Sequence, residues 1–320
     1  MPGTRLGAVA FPSPISPRSH WHYWWQAHYL DCLIDEHLRN PRGAALSEAR
    51  RLARGIWLRN GGRWRNAYYD DMAWLALALQ RLDAVNGRRR PRRGVRALGS
   101  AVASASTQDL GGGVYWNTTR DYKNTPSTAP AALFFSRAGD LARAQELLDW
   151  LRSRLYDEGT GLYLDGVKAD GSAHGTVERA IHTYNQGTVL GALVAVGGPK
   201  NLRHAAELVD AVLHGIADDD GALPLGSQGD AGLFTGILAR YLAQAVAAPG
   251  IGSHAAAAAR TLVEATADRV WSGRMPVDDT TLLFPPRQDG PVSLSSQLQA
   301  WMILEAERAC GGQAGRAETG

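Results

Sequence analysis

Cysteine is almost absent from this chain: Cys32 and Cys310 are the only two in 320 residues. Two isolated thiols build no disulfide framework and no Cys-based zinc site. Histidine is sparse as well, with nine residues and no HExxH spacing, so neither a metal nor another cofactor is expected. No apolar run is long enough to span a bilayer. The opening Met1-Pro2-Gly3-Thr4-Arg5-Leu6-Gly7 lacks the charged and apolar blocks of a signal peptide, so the chain as written reads as cytoplasmic. Net charge is low, +3, and much of the excess lies in Arg88-Arg89-Arg90-Pro91-Arg92-Arg93. A nucleic-acid binder spreads basic residues along a face. A short run between two helices reads instead as a solvated turn, with an anionic head group as the rarer alternative.

What the chain does have is helical periodicity, glycine and ten tryptophans. After a Pro- and Ser-rich segment (1–19) expected to be irregular, apolar residues recur at helical spacing from His20 to Leu38. Further helices are expected over about 44–59, 66–85, 94–104, 124–138, 139–155, 184–196, 201–215, 230–247, 252–271 and 293–309, with a flexible tail at 311–320. Strand signals are confined to a hairpin over 157–166. Eleven helices without a fixed sequence repeat, joined by alternating short and long Gly-rich loops, fit an all-α toroid of helical hairpins in one domain, 1–320. In such a frame the long loops gather at one end and carry the site.

One stretch stands out chemically: Asn66-Ala67-Tyr68-Tyr69-Asp70-Asp71-Met72-Ala73-Trp74, at the mouth of an Ala/Leu-rich helix. Two neighbouring carboxylates beside aromatic rings are costly to ionise together, and that cost separates their pKa values into a proton donor and a charged partner. The plain alternative is an N-cap aspartate followed by one favoured by the helix dipole. The other acidic runs, Asp218-Asp219-Asp220 and Asp278-Asp279, lack flanking aromatics and read as solvated loops. Among the aromatics, Trp24 and Trp74 fall on helical stripes and read as core. Trp116 lies in a Gly-rich loop and reads as a sugar contact.

The ordered segments Trp24-Trp25-Gln26-Ala27-His28, Tyr69-Asp70-Asp71 with Trp74, Gly112-Gly113-Val114-Tyr115-Trp116 with Lys123-Asn124, Asp165-Gly166, Thr183-Tyr184-Asn185-Gln186-Gly187, and Phe234-Thr235-Gly236 with Arg240-Tyr241 together resemble glycoside hydrolase family 76, the α-1,6-mannanase family. Thr235 departs from the family pattern, which often has a basic residue there. The resemblance implies an (α/α)6 barrel and an endo-acting, retaining cleavage of an α-1,6-mannan backbone, free or lipid-linked, by a monomer. It implies Asp70 as nucleophile and Asp71 as general acid/base; the residues alone leave that assignment open. It also implies substrate contacts from Trp25, Gln26, Tyr69, Trp116, Asn124, Asp165, Tyr184, Asn185 and Gln186. As a plain turn or helix cap, Asp165 and Asn185 would need no sugar. A closed (α/α)6 barrel has twelve helices and eleven are counted here, so the expectation is a barrel lacking its first helix, through a displaced chain start or imperfect closure.

Three other readings share the pattern. A transglycosylase would use the same residues. A sugar epimerase or uronyl hydrolase would use a similar barrel, the epimerase with a loop histidine, His174 or His182. A non-catalytic glycan-binding protein would bind without turnover.

Overall fold

The computed structural model describes residues 3–7, 10–11, 21–88, 90, 92–227, 229–285 and 292–317, with only the backbone of 312–317. Among these residues there are eleven α-helices: α1 (Tyr23–Arg39), α2 (Ala45–Arg59), α3 (Tyr69–Val85), α4 (Arg93–Ala105), α5 (Thr125–Arg137), α6 (Leu141–Arg154), α7 (Thr183–Val196), α8 (Gly198–Gly215), α9 (Ala231–Val246), α10 (Ser253–Ser272) and α11 (Leu294–Ala317). The odd-numbered helices form an inner ring in which each packs on the next and α11 returns to α1. The even-numbered helices lie outside as the return arms of helical hairpins.

Sequence sorts the two layers. Inner α3 is buried around most of its circumference through Met72, Leu75, Leu77, Leu79 and Leu82, as a helix enclosed by others must be. Outer α4 buries only a stripe through Val95, Leu98 and Val102. Glycines set the closeness of the inner ring. A Cβ at Gly187 on α7 would fall 2.6 Å from the Cα of Leu238 on α9, and one at Gly236 would fall 2.8 Å from the Cα of Gln299 on α11.

Within the ring lies a charged quartet. Asp31 and Asp35, one turn apart on α1, each bridge Arg81 of α3 and Arg240 of α9. The Arg81 contacts are both 2.5 Å and Arg240 meets Asp35 at 2.6 Å. Burial alone would raise the Asp31 pKa, but the Arg240 and Arg81 charges outweigh it and hold the carboxyl well below its usual range. A buried pair broken from one side typically costs about 3–5 kcal/mol, because a charge is left uncompensated.

The expected closure defect is not in the inner ring, which is complete with six helices. Among the described residues the outer layer has five, and none covers the seam between α11 and α1. Over that seam run the described residues of the chain's first segment, 3–7 and 10–11, of which 3–7 form no helix or strand. The Arg5 amide bonds to the Arg51 carbonyl at 3.2 Å. Residues Ala10–Phe11 (β1) pair antiparallel with Val292–Ser293 (β9), just ahead of α11. The crossing over α2 is possible because residue 55 is glycine: a Cβ there would lie 2.0 Å from the Arg5 carbonyl oxygen. Helix α11 also runs on to Ala317, past the expected end at 309 and into the expected flexible tail.

Strand was underestimated. Besides the 157–166 hairpin, seen as β3 (Tyr156–Asp157) and β4 (Leu162–Tyr163), a three-stranded antiparallel sheet joins β2 (Tyr122–Asn124), β5 (Gly166–Lys168) and β6 (Thr176–Glu178). Another hairpin, β7 (Met275–Asp278) and β8 (Thr281–Leu283), carries Asp278 and Asp279 at an exposed turn. Runs of two to four residues are too short to show a period of two in sequence.

Candidate active site

Because each inner helix is followed by an outer return, all inner helices run in the same direction and their N-termini meet at one end of the ring. A cleft of about 220 Å³ opens there. Its walls come from the first two turns of α1 (Trp24), α3 (Asp70, Trp74), α7 (Tyr184) and α9 (Phe234), with Asn124 capping α5 and Asp230 immediately before α9 without a side-chain cap bond. Loops and strands add Trp116, Tyr122 and Asp165.

The Asp-Asp stretch forms its helix start without a side-chain cap. Tyr68 is the extended N-cap residue (φ −116°, ψ 123°), so Asp70 and Asp71 both lie inside the first turn. The N-cap alternative raised by the sequence is therefore not what forms. The helix start is fastened to the Trp116 loop instead. The Tyr69 amide donates to the Trp116 carbonyl at 2.7 Å, and the Thr118 amide to the Ala67 carbonyl at 2.9 Å.

The two carboxylates have different surroundings. Asp70 lines the cleft and accepts two hydrogen bonds, from Trp116 Nε1 at 3.0 Å and from the Asp71 amide at 2.9 Å. Asp71 lies beside it and accepts one, from Asn66 Nδ2 at 2.5 Å. Burial pushes the Asp70 pKa up to about 7, against the lowering effect of those N–H donors. Burial and then the charge of Asp70 push Asp71 well above the usual carboxylate range, with only Asn66 opposing. The member with more N–H donors is thus the first to ionise, and its partner keeps its proton.

The loop carrying Trp116 is shaped by glycine and one lysine. Gly111, Gly112 and Gly113 all have positive φ (80°, 127° and 76°), a region that favours glycine. The Trp150 indole lies directly against Gly112 and Gly113, where any Cβ would come within 2.9 Å or less. Lys123 is buried, and its Nζ donates to the carbonyls of Thr107 (2.8 Å), Asp109 (2.6 Å) and Gly112 (2.8 Å) and to Thr107 Oγ1 (2.9 Å). Burial lowers its pKa to about 8.

Opposite Asp70, Asp165 accepts from Tyr122 OH at 2.6 Å and from Asn185 Nδ2 at 3.1 Å. Asp230 accepts from two indoles, Trp24 Nε1 at 3.0 Å and Trp25 Nε1 at 2.8 Å. Tyr184 stacks on Phe234 with ring centroids 4.0 Å apart and planes 19° apart. The cleft thus combines flat aromatic faces with three carboxylates, the pattern of a polyhydroxylated ligand site.

Of the residues expected at the site, Asp70, Trp116, Asn124, Asp165 and Tyr184 form the cleft wall. Asp71 adjoins Asp70 at the edge of that lining, and Trp25, Gln26, Tyr69, Asn185 and Gln186 stand behind it. Gln26 is fully buried and holds the backbone of Gly7, accepting at 2.7 Å and donating at 3.1 Å. Gln186 clamps Tyr163 through two 2.8 Å bonds, and Asn185 orients Asp165. Trp25 supports Asp230, while Tyr69 is buried against the core. Trp24 and Trp74, read from sequence as core, line the cleft, although Trp74 is almost wholly buried. Tyr122, Asp230 and Phe234, which also line the cleft, were not among the residues expected there. For Asp230 the available signal was its place at the start of an inner helix, level with Asp70.

The family model described as glycosyl hydrolase family 76 matches residues 8–310. The chain belongs to this family. Among solved structures, the GH76A α-1,6-mannanase from Salegentibacter sp. HEL1_6 superposes with a TM-score of 0.87 at 29% identity, covering 96% of this chain and 94% of that one. An inactive variant of the same mannanase, with two consecutive aspartates changed to asparagine and α-1,6-mannotriose bound, gives the same figures. The Lin0763 protein from Listeria innocua matches with a TM-score of 0.82 at 25% identity over 92% of this chain and 87% of that one. No curated protein matches the chain in sequence. Among the described residues, no helix is long and apolar enough to cross a membrane.

Proposed function

We propose that this glycoside hydrolase is an endo-acting, retaining α-1,6-mannanase in which Asp70 is the nucleophile and Asp71 the general acid/base. The observation that carries the roles is the unequal hydrogen bonding of the pair: two N–H donors on Asp70, one side-chain amide on Asp71. The linkage is supported by the Salegentibacter enzyme, whose inactive variant, altered at two consecutive aspartates, holds an α-1,6-mannotriose.

The chemistry follows from those protonation states. Ionised Asp70 attacks the anomeric carbon while Asp71 gives its proton to the departing glycosidic oxygen, and the bond from anomeric carbon to oxygen breaks. Asp71, now a carboxylate, takes a proton from water. The resulting hydroxide displaces Asp70 from the anomeric carbon, and two inversions give net retention. Trp116 holds the nucleophile through its indole N–H. Asp165, Asp230 and Asn124 face the hydroxyls, and the Trp24, Trp74 and Tyr184–Phe234 rings face the C–H side of the sugar.

The cleft lining contains no histidine. His182 stands at the rim, 3.9 Å from Asp165, and His174 lies on an exposed loop, so nothing favours the epimerase chemistry. The test is the product profile on linear α-1,6-mannan. Wild type should release a ladder of oligosaccharides from early time points. Asp71→Asn should bind α-1,6-mannotriose without cleaving it. Binding without turnover by wild type would mean a glycan-binding protein, and elongated products would mean a transglycosylase.

A further inference from the structure

In the arginine-rich turn singled out in the sequence, Arg88, Arg90 and Arg93 are exposed, Arg92 is half-buried, and Arg89 and Pro91 lie outside the described residues. Arg88 and Arg92, on the connection from α3 to α4, converge with Arg50 and Arg54 of α2 around a cavity of about 490 Å³ on the outer wall. Trp57 and Trp64 form an aromatic wall of this cavity, with ring centroids 6.4 Å apart. The cavity lies beside Asn86, at the opposite end of α3 from Asp70. Sixteen residues of helix separate the two, about 24 Å along the axis. It is therefore a separate place from the cleft.

The charge there is poorly balanced. Arg92 meets Asp83 Oδ1 at 2.5 Å and Arg88 lies 3.7 Å from the same atom. Arg50 donates through Nε and Nη2 to the neutral Asn86, and Arg54 donates to the Gly3 carbonyl at 3.3 Å. Among the described residues, four guanidinium groups against one carboxylate leave three positive charges around the space, and no carboxylate residue lines it. Guanidinium groups arriving from two directions suit a group with several charged oxygens, which a phosphate has and a single carboxylate lacks. The indoles beside them suit the apolar face of a sugar ring.

We infer that this outer cavity is a second binding site, for a phosphate ester carried on a sugar ring. The arginine forks take the phosphate oxygens, and Trp57 and Trp64 take the ring. The site binds whether or not the cleft is catalytic, so it does not depend on the mannanase reading.

The experiment is calorimetric titration of the full chain with mannose 6-phosphate, mannose and inorganic phosphate. The phosphorylated sugar should bind at least tenfold tighter than either part alone. Arg54→Gln/Arg88→Gln should weaken it at least tenfold with the thermal unfolding midpoint unchanged. Should that variant not fold, Arg54→Lys/Arg88→Lys keeps the charge but removes the forks, and must still weaken binding. Saturating α-1,6-mannotriose should not compete. Equal affinity for inorganic phosphate, binding unaffected by the arginine changes, or displacement by mannotriose would each overturn the assignment.

Discussion

The Trp116 indole N–H donates to Asp70 Oδ2 at 3.0 Å, joining a glycine-rich loop to the first turn of α3 across 46 residues of sequence. This bond favours the charged form of Asp70. Trp116→Phe keeps the ring and removes the donor, so the Asp70 pKa should rise. The acid limb of kcat/KM should then move to higher pH by about half to one unit, with a rate loss of about two- to fivefold at neutral pH. A pH–rate profile of the two proteins decides it, and an unmoved acid limb would show that Asp70 is not the group that must ionise.

The same pair should weaken the fold at alkaline pH. Both carboxyls have folded-state pKa values above their unfolded ones, Asp70 near 7 and Asp71 well above the usual carboxylate range. Their contribution is therefore fully present below about pH 4 and is lost as pH rises through the raised values. Asp70→Asn/Asp71→Asn should stabilise the protein at pH 8 by about 1–3 kcal/mol, a range reduced for the cleft's contact with water, and should gain little at pH 4. Thermal unfolding at the two pH values measures the difference.

Lys123 should matter to both stability and catalysis although it lies outside the cleft lining. Lys123→Met leaves the carbonyls of Thr107, Asp109 and Gly112 without their common donor. The expected cost is about 2–4 kcal/mol in urea unfolding. Limited proteolysis should cut first within 107–116, and kcat should fall because the same loop places Trp116.

The inner and outer helices were legible because their apolar spacing survives in any window of a dozen residues. Asp70, Asp71 and Trp116 were legible because polarity or glycine appears where the surrounding pattern calls for core. Asp230 was not, since what marks it is a pair of indoles more than 200 residues away. Gln26 and Gln186 misled for a related reason: a buried glutamine clamping a backbone and one reaching a sugar look the same in sequence. The arginine run was visible, but its convergence with Arg50 and Arg54 exists only in the folded chain.

The most direct test of the central claim is the anomeric configuration of the first product, followed by proton NMR during cleavage of α-1,6-mannotetraose, with Asp70→Asn as the control. The account predicts that the α-anomer appears first and reaches equilibrium only by later mutarotation, with no product from the control. Initial appearance of the β-anomer, or undiminished cleavage by Asp70→Asn, would contradict it.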